Sequence, residues 1–260
     1  MIIRIFFTAY FWLMFMAVTL VGLMVSPLFL LVSTLCCGRT VDAAIRRGIC
    51  RYGWVLVKVV PFLAPVGVES RTGKLPFPVI FVPNHSSAVD PYLFGAVLTD
   101  VCFVTTWPFK IPVYKYFMRL GRFINANEGW ETVSRKGAAM LRSGASLIIW
   151  PEGHRSRDGR LGRFKNGAFA LAVETGYPLV PVCILGSRKF LPPGRLLLSP
   201  SVVRLILLEP VYPDPNNDPQ QEIIRLRHTV EAMIRAAQGE NEGNAADIPY
   251  SEGLVRGEKC

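Results

Sequence analysis

The chain has 260 residues, 51% of them hydrophobic, with six cysteines and a formal net charge of +10. That length supports one good-sized α/β domain plus a short appendage, and the positive balance points to an anionic partner, either a lipid surface or a phosphorylated substrate. No zinc-finger spacing, basic zipper or aromatic RNA-binding signature is present, and Cys36, Cys37, Cys50, Cys102, Cys183 and Cys260 include no Cys-x-x-Cys pair, so a nucleic-acid partner, a metal site and a disulfide framework are not expected.

Residues 5–38 contain no charged side chain. The apolar run 6–35 exceeds the roughly 20 residues that span a bilayer, and it is too long for the apolar region of a cleaved signal peptide. It reads either as one tilted span or as two shorter helices hinged near Ser26 and Pro27, where the proline ring removes a helical hydrogen bond. Leu35 directly before Cys36 is a poor fit to a lipoprotein signal. Arg39, Arg46, Arg47, Arg51 and Lys58 follow at once. The positive-inside tendency then places the rest of the chain on the cytoplasmic face of an inner or cell membrane.

These features divide the chain into a membrane-inserted segment (1–38), an interfacial amphipathic helix (39–66), a catalytic domain (67–237) and a polar tail expected to be disordered (238–260). In the amphipathic helix, Arg46, Arg47, Arg51 and Lys58 are expected to face headgroups, and the stretch 61–74 marks a boundary. Strand-type runs at 77–82, 101–105, 122–124, 146–150, 177–185 and 201–208 alternate with helical patterns at 113–120, 132–143 and 166–175. Asp90-Pro91 and Asp218-Pro219 each read as an aspartate N-cap followed by proline at the first helical position. This alternation predicts an α/β fold, a mixed sheet flanked by helices.

Two motifs carry chemistry. In Asn84-His85-Ser86-Ser87-Ala88-Val89-Asp90 the histidine lies in the loop after an apolar strand. A carboxylate five residues on can fold back on the imidazole, fix its tautomer and raise the basicity of its other nitrogen. That nitrogen can take a proton from a substrate hydroxyl. Pro151-Glu152-Gly153-His154-Arg155-Ser156 is delivered by the strand that ends at Trp150, with Gly153 allowing a tight turn and Arg155 able to hold a phosphate or carboxylate in a forked geometry. Residues 110–165 carry twelve Lys or Arg against four Asp or Glu, a funnel for anions. Ser86 and Ser87 lie in no Gly-x-Ser-x-Gly elbow and read as structural, and His154 reads as a neighbour of the site.

On these residues the chain resembles the glycerolipid acyltransferases of the 1-acyl-sn-glycerol-3-phosphate acyltransferase (lysophosphatidic acid acyltransferase) family. Four blocks match in order: NHxxxxD at 84–90, Leu120-Gly121-Arg122-Phe123-Ile124, PEGxRS at 151–156, and Val180-Pro181-Val182 with Gly186. Phe164-Lys165-Asn166-Gly167-Ala168 resembles the segment after the third block. The resemblance implies His85 as general base and Asp90 as its partner. It places Asn84, Gly121, Glu152, Gly153, Arg155, Ser156, Lys165 and Pro181 in substrate binding. Backbone donors near the Glu152-Gly153 turn or the 180–186 segment are expected to stabilise the oxyanion.

It also implies membrane lipids and a lysophospholipid acceptor as partners. The acyl-donor substrate is acyl-CoA or acyl-carrier protein, with no cofactor or metal. One departure concerns Asn127, which stands with Ala126 at about the place where the family has an arginine for the acceptor phosphate. Arg122, Arg135 and Lys136 are candidate replacements. An acceptor with another headgroup, such as lyso-ornithine lipid, is the alternative within the class; a membrane-tethered hydrolase and a silent lipid-binding protein are the alternatives outside it.

Overall fold

The computed structural model describes residues 2–59, 66–98, 100–242 and 255–256. Helix α1, Ile2–Leu35, is one continuous helix that includes Pro27. It is long and apolar enough to cross a membrane, and most of its large side chains are exposed. At Ser26, next to the proline, the hydroxyl donates to the Leu23 carbonyl and stays within the helix.

Helix α2, Val41–Val59, turns back along α1: Thr19 Oγ1 meets the Tyr52 hydroxyl at 2.7 Å, and Phe29 lies against Gly48 ten residues further on. Arg46 does not face headgroups. Its guanidinium is buried and forms two bonds with Asp100 (2.6 and 2.9 Å), one with Asp42 (3.0 Å) and one with the Gly121 carbonyl (3.0 Å). The charge expected at the lipid surface instead fastens α2 to the domain, and a buried guanidinium is tolerated only because these acceptors surround it. Arg51 is exposed. Residues 61–65 of the expected boundary, and 243–254 and 257–260 of the expected tail, lie outside the described residues.

The remaining elements are β1 (Val66–Ser70), β2 (Ile80–Pro83), α3 (Asp90–Leu93), β3 (Val97–Leu98), β4 (Val101–Thr105), α4 (Pro112–Leu120), β5 (Ile124–Asn125), α5 (Trp130–Arg142), β6 (Ser146–Ile149), α6 (Gly167–Thr175), β7 (Leu179–Leu185), α7 (Ser187–Phe190), β8 (Val203–Leu207), α8 (Pro219–Glu242) and β9 (Val255–Arg256). Seven strands form one sheet in the order β1-β8-β7-β2-β6-β4-β5, while β3 and β9 pair separately. Every neighbour in the large sheet is parallel except β7 and β8. The expected mixed α/β sheet with flanking helices is present.

Strand β1 falls within a stretch read as boundary, and α8 continues through Glu242, past the expected start of the tail. The central strands are buried on both faces, as continuous apolar runs in parallel sheets require; Ile80, Phe81, Leu147, Ile148 and Leu179 are fully enclosed. Because β2 pairs in parallel with β6, with Phe81 opposite Ile148, the loops leaving both strands emerge at the same sheet edge. Ligand sites in open α/β sheets gather at this carboxyl edge.

Candidate active site

The segment 84–90 is pinned from all sides. Asn84 exchanges both its amide groups with the Ile184 backbone, donating Nδ2–H to the carbonyl at 2.9 Å and accepting its N–H at 2.6 Å. The Ser86 hydroxyl meets that of Ser187 at 3.1 Å, and the Ser87 hydroxyl donates to the Leu191 carbonyl at 2.8 Å. Both serines are buried and occupied by these bonds.

Asp90 is fully enclosed and is not the cap of α3. Its Oδ2 accepts from the N–H groups of Ser86 and Ser87, each at 2.8 Å, and faces His85 Nδ1 at 2.8 Å. The carboxylate therefore binds back across the loop that precedes the helix, away from the helix's own first N–H groups. An ionised carboxylate only accepts, so Nδ1 carries the proton and the lone pair lies on Nε2.

The third block grips the His85 backbone. Glu152 Oε1 accepts the His85 N–H at 2.8 Å, and the Ser156 N–H donates to the His85 carbonyl at 2.7 Å. Glu152 Oε2 accepts the Gly162 N–H at 2.9 Å, so both oxygens of this buried carboxylate are in use. Burial raises its pKa, opposed by the two backbone donors. The Ser156 hydroxyl donates to the Arg160 carbonyl and organises its own turn. Glu152, Ser156 and Asn84, expected to bind substrate, thus position the histidine and its loop.

Beneath the ring stands a column of aromatics. The His85 and Trp150 rings are 5.0 Å apart with a 34° tilt; Trp150 stacks on Phe103 at 6.0 Å, and Phe103 on Phe123 at 5.7 Å. The second block serves this column. A Cβ on Gly121 would come within 2.6 Å of the Phe123 ring, and the Gly121 carbonyl receives Arg46. Neither Gly121 nor Pro181, which is buried in β7 opposite Val82, lines the cleft; both were expected to bind substrate and both are packing positions.

Over His85 opens a cleft of about 2320 Å³. Eight Arg or Lys side chains line it, among them Arg155, Lys165, Arg157 and Arg188, against the two carboxylates Glu152 and Asp158. Gly153 adopts φ +73°, and Lys165 Nζ lies where a Cβ there would stand, at 2.6 Å, so glycine brings the lysine down onto the turn. The Gly153 N–H is bonded to the Trp150 carbonyl (3.1 Å) and is not an oxyanion donor. Asn127 lines the cleft beside Ala126 and Trp130, whereas Arg122, Arg135 and Lys136 do not. The positive charge comes instead from Arg4, from residues 155–165 and from residues 188–195. Sequence reasoning missed Trp150, Arg188 and Arg4, all of which line the cleft; the tryptophan's place directly before the third block was the one available signal.

Comparisons with known proteins find acyltransferases. The chain is 32% identical over 167 residues to a chloroplastic 1-acyl-sn-glycerol-3-phosphate acyltransferase of Brassica napus, covering 61% of this chain and 48% of that one. It is 31% identical over 168 residues to the corresponding protein of Arabidopsis thaliana, covering 61% and 47%. The chain thus spans about half the length of these plant relatives. The crystal structure of the 1-acyl-sn-glycerophosphate (LPA) acyltransferase PlsC from Thermotoga maritima superposes with a TM-score of 0.75 at 27% identity, covering 95% of this chain and 99% of that one. Residues 70–185, which hold His85, Asp90 and the whole third block, match the Acyltransferase family model.

Proposed function

We propose that the protein transfers a fatty acyl group from a thioester donor, acyl-CoA or acyl-carrier protein, to the free hydroxyl of 1-acyl-glycerol-3-phosphate, giving phosphatidic acid at a membrane surface. The observation that carries this reading is His85, held by Asp90 through Nδ1 at 2.8 Å while its ring opens onto a cleft lined by cations. Nε2 takes the proton of the acceptor hydroxyl as that oxygen attacks the thioester carbonyl. The new C–O bond forms, the C–S bond breaks, and the proton passes from the imidazolium to the departing thiolate. Asp90 stabilises the imidazolium while it lasts. The substrate supplies the nucleophile, and Ser86 and Ser87 stay in their structural bonds.

Arg155 and Lys165 hold the acceptor phosphate, supplying the charge that Asn127 lacks. Helix α1 keeps the cleft at the bilayer, and the charge after it sets the domain on the cytoplasmic face of an inner or cell membrane. The test is transfer of labelled acyl groups to a panel of lysolipids in membranes holding the intact protein or its His85→Ala variant. Phosphatidic acid is the expected product, with activity reduced about 10²–10⁴-fold in the variant. A product confined to another lysolipid would keep the chemistry and move the acceptor. Transfer that persists without His85 would overturn the reading.

A further inference from the structure

We propose that the loop of residues 191–200 is a second membrane contact, which with the first turns of α1 forms a lip on the rim of the cleft that seats on an anionic bilayer surface. The loop is fixed to α1 at one residue. The buried Leu198 accepts from Arg4 Nε at 3.3 Å through its carbonyl and donates its N–H to Thr8 Oγ1 at 3.0 Å. Just upstream, Phe190 meets Phe11 edge-on at 5.6 Å, and the Ser199 N–H closes the loop onto the Phe190 carbonyl at 3.0 Å.

Immediately before this anchor, Leu196 and Leu197 are 74% and 47% exposed. Across the anchor, Ile2, Ile3 and Phe6 of α1 are 69%, 69% and 73% exposed. Two consecutive exposed leucines, next to the residue that anchors the loop to an apolar helix with exposed side chains of its own, make apolar surface that water does not favour and lipid does. Charge selects the kind of lipid. Residues 187–202 contain Arg188, Lys189 and Arg195 and no acidic residue, and none precedes Asp42 in the chain. A basic rim around exposed leucines suits anionic headgroups.

The position gives the lip its purpose. Residues 192–195, Ser199 and Arg4 line the cleft, whereas Leu196 and Leu197 do not. The loop therefore runs from the cleft wall out to the exposed leucines and back. A lipid acceptor reaches the cleft along it without passing through water.

The membrane placement rests on the apolar α1, and the route rests on the proposed acyltransferase reading, so two measurements keep them apart. In the full chain, with Cys36, Cys37 and Cys260 each changed to Ser, a nitroxide is attached at Leu197→Cys. The protein is placed in vesicles of phosphatidylcholine and phosphatidylglycerol. Collisions with oxygen and with a water-soluble nickel chelate are compared with labels at Leu13→Cys on α1 and at the exposed Asn216→Cys. The expected result is oxygen contact with nickel excluded, as at position 13. Nickel access equal to that at position 216 would overturn the proposal, as would shielding that appears only when acyl-carrier protein is added, which would make the patch a protein-docking surface. This arm needs no catalysis. In the second arm, Leu196→Ser with Leu197→Ser should raise KM about five-fold for a long-chain acceptor in vesicles and leave a short-chain soluble acceptor unchanged. Equal effects on both acceptors would overturn the route.

Discussion

The floor of the cleft and its rim are built on opposite plans. On the floor, the backbone N–H and carbonyl of His85, its Nδ1, and the side chains of Asn84, Ser86, Ser87 and Glu152 all have partners at 2.6–3.1 Å, mostly from segments 67 to 104 residues away. On the rim, Arg155, Arg157, Arg160, Lys165 and Arg195 are exposed side chains on loops. The floor holds one nitrogen at one place, as proton transfer demands. The rim supplies a field, which tolerates motion and replacement of one cation by another. Damage to the floor should therefore be large and independent of salt, and damage to the rim small and salt-sensitive.

The sharpest break within the floor is Asp90→Asn. The amide can satisfy part of the hydrogen-bonding pattern but supplies no charge for the imidazolium and admits the wrong tautomer. A fall of about 10³-fold in kcat is expected in a steady-state transfer assay, with KM little changed. Glu152→Gln comes next. One of its two backbone donors, His85 N–H or Gly162 N–H, would face an amide NH₂ in place of an oxygen. A loss of about 1–3 kcal/mol in denaturant unfolding and a fall in kcat are expected together.

The same variant has a pH signature. Burial raises the Glu152 carboxyl above its ordinary 4.5, so the folded chain holds that proton more tightly than the unfolded chain. Its contribution to stability is full below 4.5 and is lost as pH rises through the raised value; Glu152→Gln should remove that slope from a Tm-against-pH series. The smallest effect belongs to the rim. Arg155→Gln should raise KM for the anionic acceptor about ten-fold or less, leave kcat nearly intact, and lose its penalty as salt is raised, because exposed charges are screened.

This division also explains what the sequence made legible. The α/β alternation and the His85–Asp90 contact were readable because apolar runs, Gly and Pro boundaries and a five-residue loop are local features. Glu152 and Asn84 were taken for substrate ligands because their partners, the His85 amide and the Ile184 backbone, lie 67 and 100 residues away. Arg46 was assigned to lipid headgroups for the same reason: no periodicity in α2 announces Asp100 or the Gly121 carbonyl. The Asp90-Pro91 pair carries a cap signature, yet the carboxylate turns backwards to Ser86 and Ser87. Strand β1 was missed because Gly67, Glu69 and Ser70 weaken its apolar pattern next to Pro65. Parallel pairing to Val203–Leu207 across the domain makes it a strand, a tertiary cause with no local trace.

The central claim is that His85 and Asp90 act as one unit on the acceptor hydroxyl. A double-variant cycle tests it most directly, with kcat/KM measured for wild type, His85→Ala, Asp90→Asn and the combined variant, all checked for equal folding. With the base gone, the carboxylate has nothing left to orient, so the combined variant should lose no more activity than His85→Ala alone. Losses that multiply would show two independent contributions and contradict the account.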